Sequence, residues 1–200
     1  YNEEIEINDL IKLLNVGKES ITSLQNKNLI NFQIKDYYRK PDELYDTNKK
    51  EIVLNHEQKK AVEKITSEMF EENKKPYMIH GVTGSGKTEV YMQLLSEVLA
   101  EGKQAIVLIP EIALTFQTVS RFQKRFPGRV SVLHSRLSEG ERADQIEMAK
   151  NGDIDIMIGP RSALFTPFER LGIIIMDEEH ETSYISESSP RYHTDEVAVY

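Results

Sequence analysis

The sequence predicts an α/β fold with a mostly parallel sheet, and three observations carry that expectation. From about residue 56 onward, short apolar runs alternate with stretches of helical period. The string His80-Gly81-Val82-Thr83-Gly84-Ser85-Gly86-Lys87-Thr88 lies between one such run, Tyr77-Met78-Ile79, and one such helix, and it matches G-x-x-x-x-G-K-[ST]. The run Ile173-Ile174-Ile175-Met176 ends on Asp177-Glu178-Glu179-His180, the acidic strand end that such a glycine loop requires as its partner.

The chain opens with a small unit. Ile7, Leu10, Ile11 and Leu14 have the spacing of a short helix, Asn15-Val16-Gly17 breaks it, and Ile21 and Leu24 stripe a second. Ile30, Phe32 and Ile34 then alternate as in a half-buried strand. Helix, glycine turn, helix and strand outline a winged helix-turn-helix, assigned to residues 1–40. Its recognition helix would offer Lys18, Ser20, Thr22, Ser23, Gln25 and Lys27. The basic charge is slight, so DNA contact and protein docking both stay open for this unit. Polar, aperiodic sequence runs from residue 35, and residues 41–51 form the linker.

The second domain is assigned to residues 52–200. Asn55-His56-Glu57-Gln58 opens a helix with Ala61, Val62, Ile65 and Met69 on one side. Strands are expected at Tyr77–His80, Gln104–Ile109, Val130–Leu133, Ile154–Ile158 and Gly172–Met176, with helices near Thr88–Ala100, Ala113–Phe126 and Gly140–Lys150. Tyr91, Leu94, Leu95 and Val98 form the apolar stripe of the helix after the glycine loop. Parallel strands covered on both faces put all their C-terminal loops along one edge.

Composition narrows the chemistry. With 39% hydrophobic and 29% charged residues the chain can bury a core. It has no cysteine, hence no disulfide and no cysteine-held zinc of its own. No apolar run reaches the length of a membrane span and no leader opens the sequence, so no membrane partner and a cytoplasmic location are expected. A net charge of −8 argues against a basic coat for nucleic acid. Arg121, Lys124, Arg125, Arg129 and Arg136, in a stretch without carboxylates, form a local patch that is equally well a solvated helix face or a phosphate track.

In the glycine loop, Thr83, Gly84, Ser85 and Gly86 would turn backbone N–H groups onto phosphate oxygens, aided by the helix dipole. Lys87 would reach the terminal phosphates, and the Thr88 hydroxyl would ligate Mg²⁺. Asp177 would hold the same ion, Glu178 would deprotonate the attacking water, and His180 would sense that step and pass it on. These residues make ATP and Mg²⁺ the expected cofactors and hydrolysis the expected reaction. A small-molecule kinase would need an acceptor pocket and an arginine-rich lid, and neither is present in the sequence. Gln58 has two readings. It stands three residues after Asn55, as in a capping box, and its amide also suits the N6 and N7 of adenine.

Three further loops follow strands on that edge: Pro110-Glu111-Ile112-Ala113-Leu114-Thr115-Phe116-Gln117, His134-Ser135-Arg136-Leu137-Ser138, and Gly159-Pro160-Arg161-Ser162-Ala163-Leu164-Phe165. Together they outline a track for a nucleic-acid strand beside the nucleotide.

The strings Gly81-Val82-Thr83-Gly84-Ser85-Gly86-Lys87-Thr88-Glu89-Val90-Tyr91, Pro110–Thr115, Gly159–Phe165, Asp177-Glu178-Glu179-His180 and Pro190-Arg191-Tyr192-His193 closely resemble the primosomal protein N′ (PriA) family, replication-restart DNA helicases of superfamily 2. The resemblance runs through residues 52 to 200, and the winged-helix outline agrees with the family's domain order. It implies a RecA-like P-loop NTPase lobe of DEAD/DEAH type, preceded by the winged helix-turn-helix unit. It further implies ATP-driven 3′-to-5′ unwinding at forks and partners in single-stranded or forked DNA, primosome proteins and single-strand-binding protein.

By the same resemblance Gln58 falls where such helicases place an adenine-reading glutamine. Thr115, Arg161 and Ser162 become DNA contacts, and Gln117, His134 and Ser135 join them as residues of the strand-end loops that outline the track. Tyr184, Arg191, Tyr192 and His193 fall in the family's aromatic-rich loop, which couples DNA binding to hydrolysis. Ile185 and Asp195 stand where the family usually has Lys and Arg, so two positive charges are missing from that loop.

The family's domain for the nascent 3′ end, its zinc cluster and its second motor lobe have no counterpart in these residues. Zinc is therefore expected in the full-length family member and not in this chain. The sequence is expected to be a piece cut short after Val197-Ala198-Val199-Tyr200, binding nucleotide but hydrolysing it weakly. The alternative is an ATP-gated protein-docking module without unwinding activity.

Overall fold

A computed structural model of the protein describes residues 16–27, 29–30, 53–69, 75–82 and 84–200. The chain divides into two compact units, residues 1–37 and residues 38–200. In the first unit the described element is helix α1 (Lys18–Asn26), which turns Ile21 inward and leaves Ser20, Thr22 and Ser23 exposed. The helix expected at Ile7–Leu14, the strand through Phe32 and Ile34, and the linker at 41–51 lie outside the described residues.

The second unit is built on a four-stranded parallel sheet: β1 (Gln104–Leu108), β2 (Val130–Val132), β3 (Ile156–Gly159) and β4 (Leu171–Met176), in the order β2-β3-β1-β4. Strand β1 is central and buried at every position, as its apolar sequence dictates. Its side chains alternate between the faces. Ala105, Val107 and Ile109 pack with helices α3 (Lys87–Ala100) and α4 (Phe116–Arg125), through Leu95, Val98 and Phe122. Ile106 and Leu108 face the other way, against Met148 and Ala149 of α5 (Glu139–Asn151) and against Ala163. Helix α2 (His56–Glu68) lies on α3, burying Val62 and Ile65 against Val90 and Leu94. Helix α3 is thus covered on two sides, which is why apolar residues surround most of it.

Caps fix the helix starts. Ser138 and Glu141 form a capping box on α5, and Gly152 ends that helix in the left-handed conformation that a Cβ would penalise. The strand expected at Tyr77–His80 makes no ladder. Pro76 has no N–H to give, Met78 points outward, and only Ile79 is packed into the core. Beyond β4 the chain forms a short antiparallel pair, β5 (Ile185–Ser186) with β6 (Tyr192–His193), then helix α6 (Thr194–Val199). Among the described residues no helix is long and apolar enough to cross a membrane.

Candidate nucleotide and nucleic-acid site

Because the four strands are parallel, their C-terminal ends share one edge, and backbone bonds carry the sheet a step past the strands. Asp177 N–H donates to the Leu108 carbonyl (2.9 Å), Ile109 N–H to Gly159 (2.8 Å) and Leu133 N–H to Ile158 (2.8 Å). The loops after β1, β2 and β3 and the acid pair after β4 therefore emerge side by side.

The glycine loop leads into α3. Gly84 and Gly86 take φ of 80° and 84°, a region that disfavours any side chain. The amides of Lys87 and Thr88 open the first turn of the helix, where backbone donors lack partners within the helix. Lys87 Nζ donates to the carbonyls of Gly81 (2.8 Å) and Val82 (3.4 Å), folding the ammonium over the loop. Thr88 is half-buried, and Thr83 lies outside the described residues.

Gln58 performs the capping role. Its Oε1 accepts from Asn55 N–H (2.8 Å) and its own N–H donates to Asn55 Oδ1 (2.9 Å). Its Nε2 meanwhile reaches the carbonyls of Ser85 (3.1 Å) and Gly86 (3.4 Å), so the cap of α2 also holds the glycine loop. A Cβ on Gly86 would stand 2.3 Å from that nitrogen.

Asp177 is turned toward the first turn of α3. Its Oδ1 accepts from the phenol of Tyr91 (3.3 Å) and from the N–H of Glu178 (3.2 Å). Burial, and next the charge of Glu178, push its pKa up, while the Tyr91 and Glu178 bonds and the nearby Lys87 charge pull it back. The Tyr91 bond ties the acid to α3, the helix into which the glycine loop leads. Glu178 has φ 49°, the one positive value for a non-glycine among the described residues, costing about 1 kcal/mol. His180 Nε2 stands 3.8 Å from Glu178 Oε2, and both side chains reach solvent.

Among the described residues no group of three or more His, Cys, Asp or Glu side chains could hold a metal. The donors at hand, the Asp177 carboxylate and the Thr88 hydroxyl, are hard oxygens, too few for an all-protein cage but suited to Mg²⁺ shared with phosphates and water.

The expected nucleic-acid residues divide. Thr115, Gln117, Ser135, Ser162, Arg191 and His193 are exposed along the edge, whereas His134 and Tyr192 are half-buried. Thr115 caps α4 through Thr118 N–H (3.2 Å), and Tyr192 meets the Phe165 ring edge-on, with centroids 5.5 Å apart. Arg161 is half-buried and bonds inward through one nitrogen. Its Nη1 donates to the carbonyls of Ser183 (3.2 Å) and Ile185 (2.6 Å), on either side of Tyr184.

Tyr184 lies deeper. Only 3% exposed, it donates its phenol to the Asp177 carbonyl (2.7 Å), and its own carbonyl accepts from Thr194 Oγ1 (2.5 Å). Burial raises its pKa and that of Tyr91, keeping both phenols protonated donors. Neither tyrosine's role was legible in the sequence, where Tyr91 reads as one more member of an apolar stripe. The basic patch is partly neutralised: Arg121 pairs with Glu89 (2.5 Å) and Arg129 with Asp155 (2.7 Å). Asp195 lies in the first turn of α6, where the helix dipole favours an acid.

The family described as "Type III restriction enzyme, res subunit" (ResIII) matches residues 51–194. The chain is 44% identical over 193 residues to a replication restart protein PriA of Bacillus subtilis, covering 96% of this chain and 24% of that protein. It is 48% identical over 147 residues to one from Chlamydia pneumoniae, with 73% and 20% covered. It is 38% identical over 196 residues to one from Synechocystis, with 98% and 23% covered. The chain spans about a quarter or less of the length of these curated relatives.

Proposed function

The chain belongs to the ResIII family and is similar to the PriA replication restart proteins, and from that premise we propose that it is the ATP-binding first motor lobe of a cytoplasmic 3′-to-5′ DNA helicase of replication restart. The observation that carries the reading is the convergence of two distant stretches. The Asp177 carboxylate faces the helix that starts at Lys87 and bonds Tyr91 on it.

In this reading the loop amides, Ser85 and Lys87 bind the β- and γ-phosphates of ATP. Lys87 exchanges its carbonyl partners for phosphate oxygens. Thr88 and Asp177 would hold Mg²⁺, which would supply charge neutralisation for the phosphates. Glu178 takes the proton of the attacking water, and His180, beside it, relays the change. Gln58 lines the adenine side, although adenine readout requires its Oε1 to leave the Asn55 N–H. Exposed Gln117, Ser135, Ser162, Arg191 and His193 carry a DNA strand along the sheet edge. The bond from Tyr184 to the Asp177 carbonyl supports a link between that strand and the ATP site.

Primosome proteins and single-strand-binding protein are the expected partners of the whole protein, and zinc its further metal. Hydrolysis by this chain alone is expected to be weak, because motors of this class complete the γ-phosphate site with an arginine from a second lobe. The test is binding of a fluorescent ATP analogue with Mg²⁺, repeated with forked DNA present. Binding that is tight, magnesium-dependent and lost in Lys87→Ala supports the reading. Binding unaffected by Lys87→Ala overturns it. A docking module without unwinding is favoured only by the internal pairing of Arg121 and Arg129. It predicts no salt-dependent DNA affinity in the chain.

A further inference from the structure

Helix α3 does more than present the glycine loop. Thr88 and Tyr91 are three residues apart, hence on the same helix face, and the Tyr91 phenol reaches across to Asp177 Oδ1 at 3.3 Å. The amide of Glu178 bonds the same oxygen at 3.2 Å. Both donors act on Oδ1, and among the described residues none bonds Oδ2. A carboxylate on a strand end can rotate about its terminal torsion, which is broad for Asp. Two donors on one oxygen remove that freedom and leave the second oxygen in a fixed direction. Tyr91 is itself fixed: it is 7% exposed and packed in the cluster that joins α3 to the sheet. The cluster accounts for the ring of Tyr91, and the bond to Asp177 for its hydroxyl.

We propose that Tyr91 is a positioning residue for Asp177, holding Oδ1 so that Oδ2 is presented to the divalent cation shared with Thr88 and the nucleotide phosphates. The proposal rests on the ATP-site reading above and adds to it a residue outside both phosphate-site motifs. Partners that orient a metal-holding group typically affect metal affinity 10- to 100-fold. The 3.3 Å bond length puts Tyr91 at the lower end of that range.

The experiment titrates Mg²⁺ into the full chain with a fluorescent ATP analogue, comparing wild type with Tyr91→Phe and Lys87→Ala. Tyr91→Phe keeps the ring and removes only the hydroxyl. It is expected to raise the half-saturating magnesium concentration about tenfold, while leaving magnesium-free nucleotide binding unchanged. A residue that merely filled the core would lower the melting temperature of the nucleotide-free chain and leave the magnesium midpoint in place, and that result overturns the proposal.

A second measurement guards against a general loss of fold. At one fixed magnesium concentration, the Tyr91→Phe/Asp177→Asn double variant should bind nucleotide no more weakly than Asp177→Asn alone, because Tyr91 acts through that carboxylate. Losses that multiply overturn the proposal. Absence of nucleotide binding by the wild type overturns the ATP-site reading and this proposal with it. Wild-type binding that Lys87→Ala abolishes, with an unmoved midpoint in Tyr91→Phe, overturns the role of Tyr91 alone.

Discussion

The glycine loop and the acidic strand end lie next to each other but are held by different means. In the loop, Lys87 Nζ bonds the Gly81 carbonyl six residues back, and Gln58, 27 residues before Ser85 and on α2, bonds the Ser85 and Gly86 carbonyls. Each of these bonds is one a ligand can displace. At the acid end, Asp177 has its carboxylate bonded by Tyr91, 86 residues away, and its carbonyl bonded by Tyr184 on the following loop. Those bonds set a direction in advance of any ligand. The loop takes its turn from consecutive residues and one brace from α2, and the acid end borrows its geometry from the packed sheet.

Substitutions sharpen this contrast, and the largest effect is expected in the loop. Lys87→Ala should abolish detectable ATP-analogue binding, a loss of on the order of 100-fold or more, as for removal of a charged hydrogen-bonding group. The nucleotide-free melting temperature should hardly move, since Lys87 bonds only nearby carbonyls. A large fall in melting temperature would mean that Lys87 supports the fold as well as the site.

Next is Gly86→Ala, which places a Cβ at φ 84° and 2.3 Å from Gln58 Nε2. It should cost about 1–3 kcal/mol of stability, measured by urea unfolding. Adding Gln58→Ala should recover the part due to the clash and leave the backbone strain. No recovery would show that Gln58 does not press on the loop.

At the acid end a smaller effect of opposite sign is expected. The pKa of Asp177 is raised in the folded chain, so folding takes up a proton in the window just above the ordinary value of 3.8. Stability therefore falls as pH rises through that window, and the ionised carboxylate opposes folding at neutral pH. Asp177→Asn should raise the nucleotide-free melting temperature at pH 7 by on the order of 2 °C. The gain should vanish in acid, where Asp177 is already protonated, and magnesium dependence should be lost at any pH. An unchanged or lowered melting temperature at pH 7 would show that Asp177 is not held at a cost.

The smallest effect belongs to Gln58→Ala alone. It removes half of a capping box and should cost roughly 0.5–1 kcal/mol in urea. It separates the cap from the loop if nucleotide affinity falls by more than stability does.

The order of the second unit's elements was legible because each strand of the sheet is a short apolar run bounded by turn residues, and each helix repeats its apolar positions at helical spacing. β1, β3 and β4 fall within two residues of the spans read from sequence. The glycine loop was legible for the same local reason: its residues are consecutive. The Tyr77–His80 run misled, since an apolar run specifies burial but not a partner strand, and Pro76 cannot supply a donor.

By itself, then, the sequence determined the alternating elements, the loop before Lys87 and the acids after β4, all properties of neighbours along the chain. Only the tertiary structure decided that Gln58 braces the glycine loop, that Arg161 holds the carbonyls beside Tyr184, and that two buried phenols bond Asp177. Hydrogen bonds are directional and short, so whether a side chain makes one depends on which remote segment packing brings within about 3 Å. No periodicity or spacing along the chain encodes that distance.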